Sequence, residues 1–335
     1  MVKDSGSGGD IASQVFDSNL DGIPDEFIFQ SGFGPRESRT FFVQSTPKNR
    51  REVFSVTDVR FVEPRQDLAW ENDRIAFRMY GPALAAEVNN GIDVWTKRVK
   101  YLIVKKWYEG EEQTPKIVYH EDYGEGADFF NVGRSLGCGG SGIWFENKVY
   151  QPGVFTSYKI ISPGPIRVCF ELYYGPWAFD GKRLTETKRI TLDAGQNLNR
   201  IDVTYMDSSQ SSQLEIACGL VKRNNTKSFE NKSHGWMSLW GQTNDSLQNG
   251  YLGTGIVFEQ SKLTRVTEDK DQYIMLGKTR IGSQYTYYAG AGWTRSGDFN
   301  TEEAWNKYLD VFSQELRSQL LVTITASSAQ INKPR

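Results

Sequence analysis

The sequence predicts an all-β fold, a β-sandwich with one C-terminal amphipathic helix. Period-2 alternation dominates the chain. Aromatic residues make up 13% and glycines number 32, while long runs of strong helix formers are almost absent. Turn signals recur between the alternating segments.

The strands follow from that alternation. RVCFELYY (167–174) sets Val168, Phe170, Leu172 and Tyr174 against Arg167, Cys169, Glu171 and Tyr173. NRIDVTY (199–205) puts Ile201, Val203 and Tyr205 on one side, and LLVTITAS (320–327) reads as a late strand. SPGP (162–165), DAGQN (193–197) and QNGYLGTG (248–255) read as turns. The helix is TEEAWNKYLDVFSQEL (301–316). Thr301 can cap it, Glu302 and Glu303 suit its positive end, and Trp305, Leu309, Phe312 and Leu316 form an apolar stripe. No internal repeat or low-complexity linker divides the chain, so residues 1–335 read as a single sandwich domain.

Charge excludes some partners. With 39 basic and 41 acidic residues the formal net charge is −2, and no dense Lys/Arg run marks nucleic acid or a membrane surface as a partner. No apolar run approaches the ~20 residues of a bilayer span. The amino terminus, MVKDSGSGGD, lacks the apolar core of a signal peptide. A periplasmic or secreted location then requires a leader ahead of this sequence, and a cytoplasmic one stays open. Cys138, Cys169 and Cys218 are widely spaced with no CxxC, which fits buried free thiols better than a disulfide framework or zinc site.

Three segments carry candidate chemistry on a strand face. Read as one strand, WENDRIAFRMYGP (70–82) puts Ile75, Phe77 and Met79 toward a core, and Trp70, Asn72, Arg74, Arg78 and Tyr80 on the other side. Guanidinium forks match carboxylates or sulfates, and aromatic faces stack on sugar rings. Arginines paired with carboxylates of neighbouring strands would give the same pattern. GIDVWTKRV (91–99) repeats it with Asp93, Trp95 and Lys97, and Arg167 and Glu171 do so on a third strand.

His120, one of only two histidines, lies in KIVYHEDY at the end of an apolar run that breaks into the glycine-rich GEGADFFNVGR. No second histidine stands near it, so it reads as a lone acid–base group or as a structural histidine held by its carboxylates. DSNLDGIPDEF (17–27) offers Asp17, Asn19, Asp21 and Asp25 at the oxygen spacing of a calcium loop, but Ile28 stands where the bidentate glutamate belongs. The same stretch also reads as a hairpin turn.

Taken together, WENDRIAFRMYG, GIDVWTKR, YHEDYGEGADFFNVGRSLGCGG, SPGPIR and YYAGAGWTRSGDF resemble a bacterial family labelled a domain of unknown function. The resemblance runs from about residue 15 to 325. The family occurs among polysaccharide-degradation genes, and one branch is described as an oligosaccharide dehydratase acting on ulvan. The section around GPIRVCFELYY is similar to the galactose-mutarotase type of β-supersandwich. The resemblance implies a carbohydrate-active lyase taking anionic oligosaccharides of uronate and sulfated sugar. It would remove water across C4 and C5 of a non-reducing-end uronic acid, leaving a 4,5-unsaturated uronate.

That chemistry needs cations to neutralise the carboxylate, a base at C5 and an acid at O4. On residue type, His120 and Tyr80 are candidates for proton transfer and Arg78 for charge neutralisation. Trp70, Asn72, Arg74, Lys97, Arg134 and Arg167 are candidates for substrate binding. No cofactor is required, and calcium at residues 17–25 would be structural. A polysaccharide lyase needs the same groups, a glycosidase would use carboxylates such as Glu71, Asp73 or Asp128, and a non-catalytic sugar-binding protein would not need His120.

Overall fold

The structure is a computed structural model describing residues 1–44, 55–207, 212–243 and 246–318, with Leu321 and Thr323 beyond. The expected strand at 320–327 falls largely outside the described residues. Three antiparallel sheets form the body. The largest has eight strands in the order Ser157–Ser162, Arg167–Phe179, Lys182–Asp193, Leu198–Met206, Gln284–Trp293, Ser246–Phe258, Trp236–Thr243 and Thr226–Asn231. A five-stranded sheet runs Lys148–Tyr150, Cys138–Phe145, Gln213–Val221, Gln272–Arg280 and Leu263–Glu268. A second five-stranded sheet, Gly126–Ala127, Asp93–Lys97, Ile75–Met79, Asp67–Glu71 and Asp58–Val62, adds to them. One buried core draws residues from all three, among them Phe77, Val168, Phe170, Ile201, Cys218 and Met275. The protein is an all-β sandwich.

The alternation at 167–174 and 199–205 sends Val168, Phe170, Leu172, Tyr174, Ile201, Val203 and Tyr205 into that core, as the sequence predicts. All three cysteines are buried and free.

Among the described residues there are two α-helices. α1 (Val104–Glu111) was not anticipated, whereas α2 (Glu302–Glu315) matches the expected one. Thr301 caps α2 by accepting from the Ala304 N–H at 3.2 Å, and Trp305 and Leu309 are fully buried on the eight-stranded sheet. Two glycines of QNGYLGTG, Gly253 and Gly255, serve that contact. The segment lies within the strand Ser246–Phe258 and is not a turn. A Cβ on Gly253 would stand 2.7 Å from the Trp305 ring, and one on Gly255 2.8 Å from Leu309. Glycine lets the helix sit directly on the sheet.

The segment 70–82 is likewise not one strand. Asp67–Glu71 and Ile75–Met79 form a hairpin in which Trp70 lies opposite Phe77. The tight turn at 72–74 resets the alternation. Trp70 therefore joins the core face with Phe77, stacked at 5.6 Å and edge-on to Phe170 at 4.9 Å. Ala69, Glu71, Ala76, Arg78, Trp95 and Lys97 share the opposite face, and α1 with Tyr119 covers it.

Candidate functional site

The polar face of the Asp67–Glu71, Ile75–Met79 and Asp93–Lys97 strands lies inside the protein, beneath α1. At one end the fully buried Lys97 bonds Glu71 at 2.6 Å and the Asn72 carbonyl at 2.7 Å. The Glu71 carboxylate also accepts the Ile103 and Val104 N–H groups at 2.8 and 2.7 Å, so it caps the N-terminus of α1 from a distant strand. Burial lowers the Lys97 pKa, against the pull of Glu71.

At the other end Arg78 is the hub. Its guanidinium bonds Asp93 at 2.6 Å, Asp128 at 2.8 Å, and the Tyr80 and Tyr119 hydroxyls at 3.1 Å, with Asp67 at 3.8 Å. It lies against the rings of Tyr80, Trp95 and Tyr119. Three carboxylates around one cation outweigh its charge. Burial raises the Asp67 pKa to about 6 and drives Asp128 well above the ordinary carboxylate range, with Asp93 adding to the rise at Asp128. Tyr80 donates to Asp93 at 3.1 Å, and burial followed by that carboxylate raises its pKa strongly.

His120 sits at the rim of this hub, its side chain 56% exposed. It belongs to a turn, with Glu121 N–H bonded to Val118, and not to the end of a strand. Nδ1 stands 3.1 Å from the Asp128 carbonyl and 3.5 Å from its carboxylate. A carbonyl only accepts, so Nδ1 carries a proton, and it is in the neutral ring that Nε2 presents a lone pair. Of the two glycines in the following loop, Gly126 (φ +118°) lies so close to Thr96 that a Cβ would stand 2.0 Å from its carbonyl, whereas Gly124 (φ +99°) has open space. Gly126 serves packing rather than approach to a ligand.

Asp128 runs on into Phe129–Ser135, one wall of a cleft of about 700 Å³. Arg134, Lys222, Arg223 and Lys270 line it with Asn131, Asn224, Gln242 and Asp271. Arg134 donates to the Ala86 carbonyl, and among the described residues no carboxylate lies within ion-pair distance of it. Arg223 donates to the Gln242 and Leu252 carbonyls at 3.2 and 2.8 Å. Lys222 pairs with Glu268 at 2.8 Å and Lys270 with Asp271 at 3.7 Å, so Arg134 is the cation best placed to meet an anionic ligand in the open cleft.

The expected residues thus divide. Arg78, Tyr80 and His120 converge on Asp93 and Asp128. Arg78 cannot reach a ligand, because its donors are engaged and its side chain is only 5% exposed. Trp70 is core, its indole N–H bonded to Asn199 at 2.8 Å. Asn72 is buried and its side chain is spent on backbone groups of Asp193, Gln196, Arg74 and Ile75. Lys97 is neutralised by Glu71. Arg74 pairs with Asp298.

Arg167 is placed elsewhere, on the outer face of the eight-stranded sheet, bonded to Asp193 at 2.6 Å. There it lines a second cleft of about 400 Å³ with Arg189, Arg200 and Tyr288. His234 pairs with Asp310 on α2. Asp17, Asn19, Asp21 and Asp25 occupy the turn of the hairpin Ser13–Phe16 and Glu26–Phe29, where their oxygens accept N–H groups of Leu20, Gly22, Asp21, Ile23 and Ser18. Among the described residues, no three His, Cys, Asp or Glu side chains are grouped to hold a metal ion.

The cleft cations Lys222, Arg223 and Lys270 were missed by sequence reasoning. VKRNN at the end of the Gln213–Val221 strand was the available signal.

A family model described as a domain of unknown function, DUF4861, matches residues 1–322. The chain belongs to this family. It is 34% identical over 332 residues to "Uncharacterized protein P7" of Formosa agariphila, with 94% of this chain and 82% of the relative covered. Among solved structures, a putative kojibiose phosphorylase from the human microbiome is similar at TM-score 0.36 and 10% identity over 54% of this chain. The α-galactosidase AgaB of Geobacillus stearothermophilus gives 0.36 and 8% over 70%. The 4-α-glucanotransferase of Thermococcus litoralis gives 0.35 and 10% over 72%. The chain covers 25%, 40% and 40% of those proteins, and likeness at this level carries no argument about this one. No helix among the described residues is long and apolar enough to cross a membrane.

Proposed function

We propose that this DUF4861 protein is a carbohydrate-active lyase of the oligosaccharide dehydratase kind, acting on ulvan-type chains that end in a uronic acid. The observation that carries the reading is His120 at the rim of the Arg78 hub. Its ring is fixed through Nδ1 by the Asp128 carbonyl, and the chain runs from Asp128 straight into the wall of a cationic cleft. Arg134 and Arg223 neutralise the uronate and so make the C5 proton removable. Nε2 of His120 takes that proton, electrons move into the C4–C5 bond, and the C4–O bond breaks.

Tyr80 is not assigned the departing oxygen, because its hydroxyl donates to the Asp93 carboxylate and accepts from Arg78. His120 returns the proton to O4, so one residue serves both steps and water leaves. Arg78 acts as a positioning residue that holds Asp128.

A polysaccharide lyase would run the same steps with a glycosidic oxygen leaving. Mass spectrometry after incubation with uronate-terminated oligosaccharides separates the two: loss of 18 Da without chain cleavage is expected. Shorter unsaturated products would establish the lyase, and unaltered oligosaccharides bound by the protein would establish a sugar-binding module.

A further inference from the structure

The middle of the sandwich holds a polar cluster with no part in the proposed chemistry. On the inner face of the eight-stranded sheet, Tyr174 lies opposite Glu186, and Glu186 lies opposite Tyr205, across three adjacent strands. Lys188 is the next inward residue along from Glu186. From the facing sheet, Ser141 places its hydroxyl 3.5 Å from Glu186, and Cys218 lies opposite Ser141. The Lys188 and Glu186 side chains have no solvent exposure. Their charged atoms stand 3.5 Å apart, within ion-pair distance, and the ammonium lies 5.2 Å from the centre of the Tyr174 ring.

Four buried polar atoms here lack a well-formed protein hydrogen bond: Lys188 Nζ, Glu186 Oε2 and the hydroxyls of Tyr174 and Tyr205, with Lys188 beside Glu186 and Tyr205 beside Ser141 as the nearest polar neighbours. Buried polar groups in folded proteins are almost always satisfied, by protein or by ordered solvent. Four such atoms at neighbouring inward positions on adjacent strands therefore describe a ligand. It must donate to Glu186, accept from Lys188, and do either for the two phenols. An anion would face Glu186, and a cation would face Lys188. An apolar occupant would satisfy none of them. Only a small neutral molecule that both donates and accepts meets the whole set.

We infer that the interface between the two sandwich sheets contains a built hydration site, in which about two internal water molecules bridge Lys188, Glu186, Tyr174 and Tyr205. The site is independent of the cleft and of the reaction proposed above. Burial raises the Glu186 pKa and lowers that of Lys188, so a bridging water can also carry a proton between them without exposing either to bulk solvent.

A high-resolution crystal structure of the full chain, grown in bromide, is the first test. Ordered solvent within hydrogen-bond distance of Lys188 Nζ and both phenols is expected, with no anomalous signal there. A bromide peak would overturn the proposal, as would a dry cluster in which Lys188 bonds Glu186 and the phenols directly. Oxygen-17 relaxation dispersion tests it in solution. Lys188→Met combined with Glu186→Gln should remove about two long-lived waters relative to the wild type, and Tyr174→Phe, the milder change, should lose or speed up at least one. Unchanged dispersion in both variants would refute the site.

Discussion

Replacing Asp67 by asparagine tests the electrostatics of the Arg78 hub. Asp67 is buried, bonded to the Tyr108 hydroxyl at 3.0 Å, and 3.8 Å from a guanidinium already shared with Asp93 and Asp128. Burial raises its pKa from 3.8 to about 6. A carboxyl whose pKa is raised on folding is protonated more readily in the native state, so its contribution to stability is fully present below about pH 4 and is lost as pH rises through about 6. A rise of about two pH units, at about 1.4 kcal/mol each, makes the loss about 3 kcal/mol. Asparagine is an isostere of the protonated acid and does not titrate. Urea unfolding followed by tryptophan fluorescence between pH 4 and 7 should show Asp67→Asn gaining on the wild type by about 3 kcal/mol across that window. Parallel stability curves would refute the account of the hub.

Further predictions concern residues that the fold moves away from binding. Trp70→Ala should cost about 3–5 kcal/mol of stability by chemical denaturation, and a conservative Trp70→Phe should leave oligosaccharide affinity by calorimetry unchanged. Lys97→Met strands the buried Glu71 carboxylate and should cost about 3–5 kcal/mol, visible as a drop in melting temperature. Gly253→Ala places a methyl group against the Trp305 ring and should cost about 1–3 kcal/mol, with α2 losing protection first in hydrogen exchange. Tyr80→Phe should keep turnover within a few-fold of the wild type, because the Tyr80 hydroxyl donates to Asp93 and accepts from Arg78; a loss of ~10²-fold, the scale of an acid–base group, would return it to the mechanism.

Where local sequence decides, the fold was legible. Thr301, Glu302, Glu303 and the Trp305–Leu309 stripe specify α2 within a few residues, and the long strands alternate faithfully from Arg167 to Tyr174. The hairpin at 70–82 was hidden because Asn72 and Asp73 fit an unbroken alternation as well as a turn. That turn moves Trp70 from the chemical face to the core. α1 was hidden because its N-terminus is capped by Glu71, more than 30 residues away, and because Gly110 weakens the helical pattern. The glycines of QNGYLGTG resemble a turn, and the helix packed above Gly253 and Gly255 explains the presence of those two in a strand.

The candidate site was legible in part. Arg78, Tyr80 and His120 are brought together as residue type suggested, yet Arg78 is a buried hub and not a clamp. Arg134, in the glycine-rich turn after Asp128, and Arg167, at the start of a strand, end in different clefts, because sheet order, which no local pattern encodes, decides where each segment goes.

The central claim is that His120 carries the proton transfer. The measurement that tests it most directly compares wild type and His120→Gln, each shown to be folded by circular dichroism and melting temperature, for release of 4,5-unsaturated product from a uronate-terminated oligosaccharide. The account predicts a fall in turnover of ~10²-fold or more with affinity for the oligosaccharide retained, as expected for a lost acid–base group. Near-normal turnover in a well-folded His120→Gln protein would contradict it.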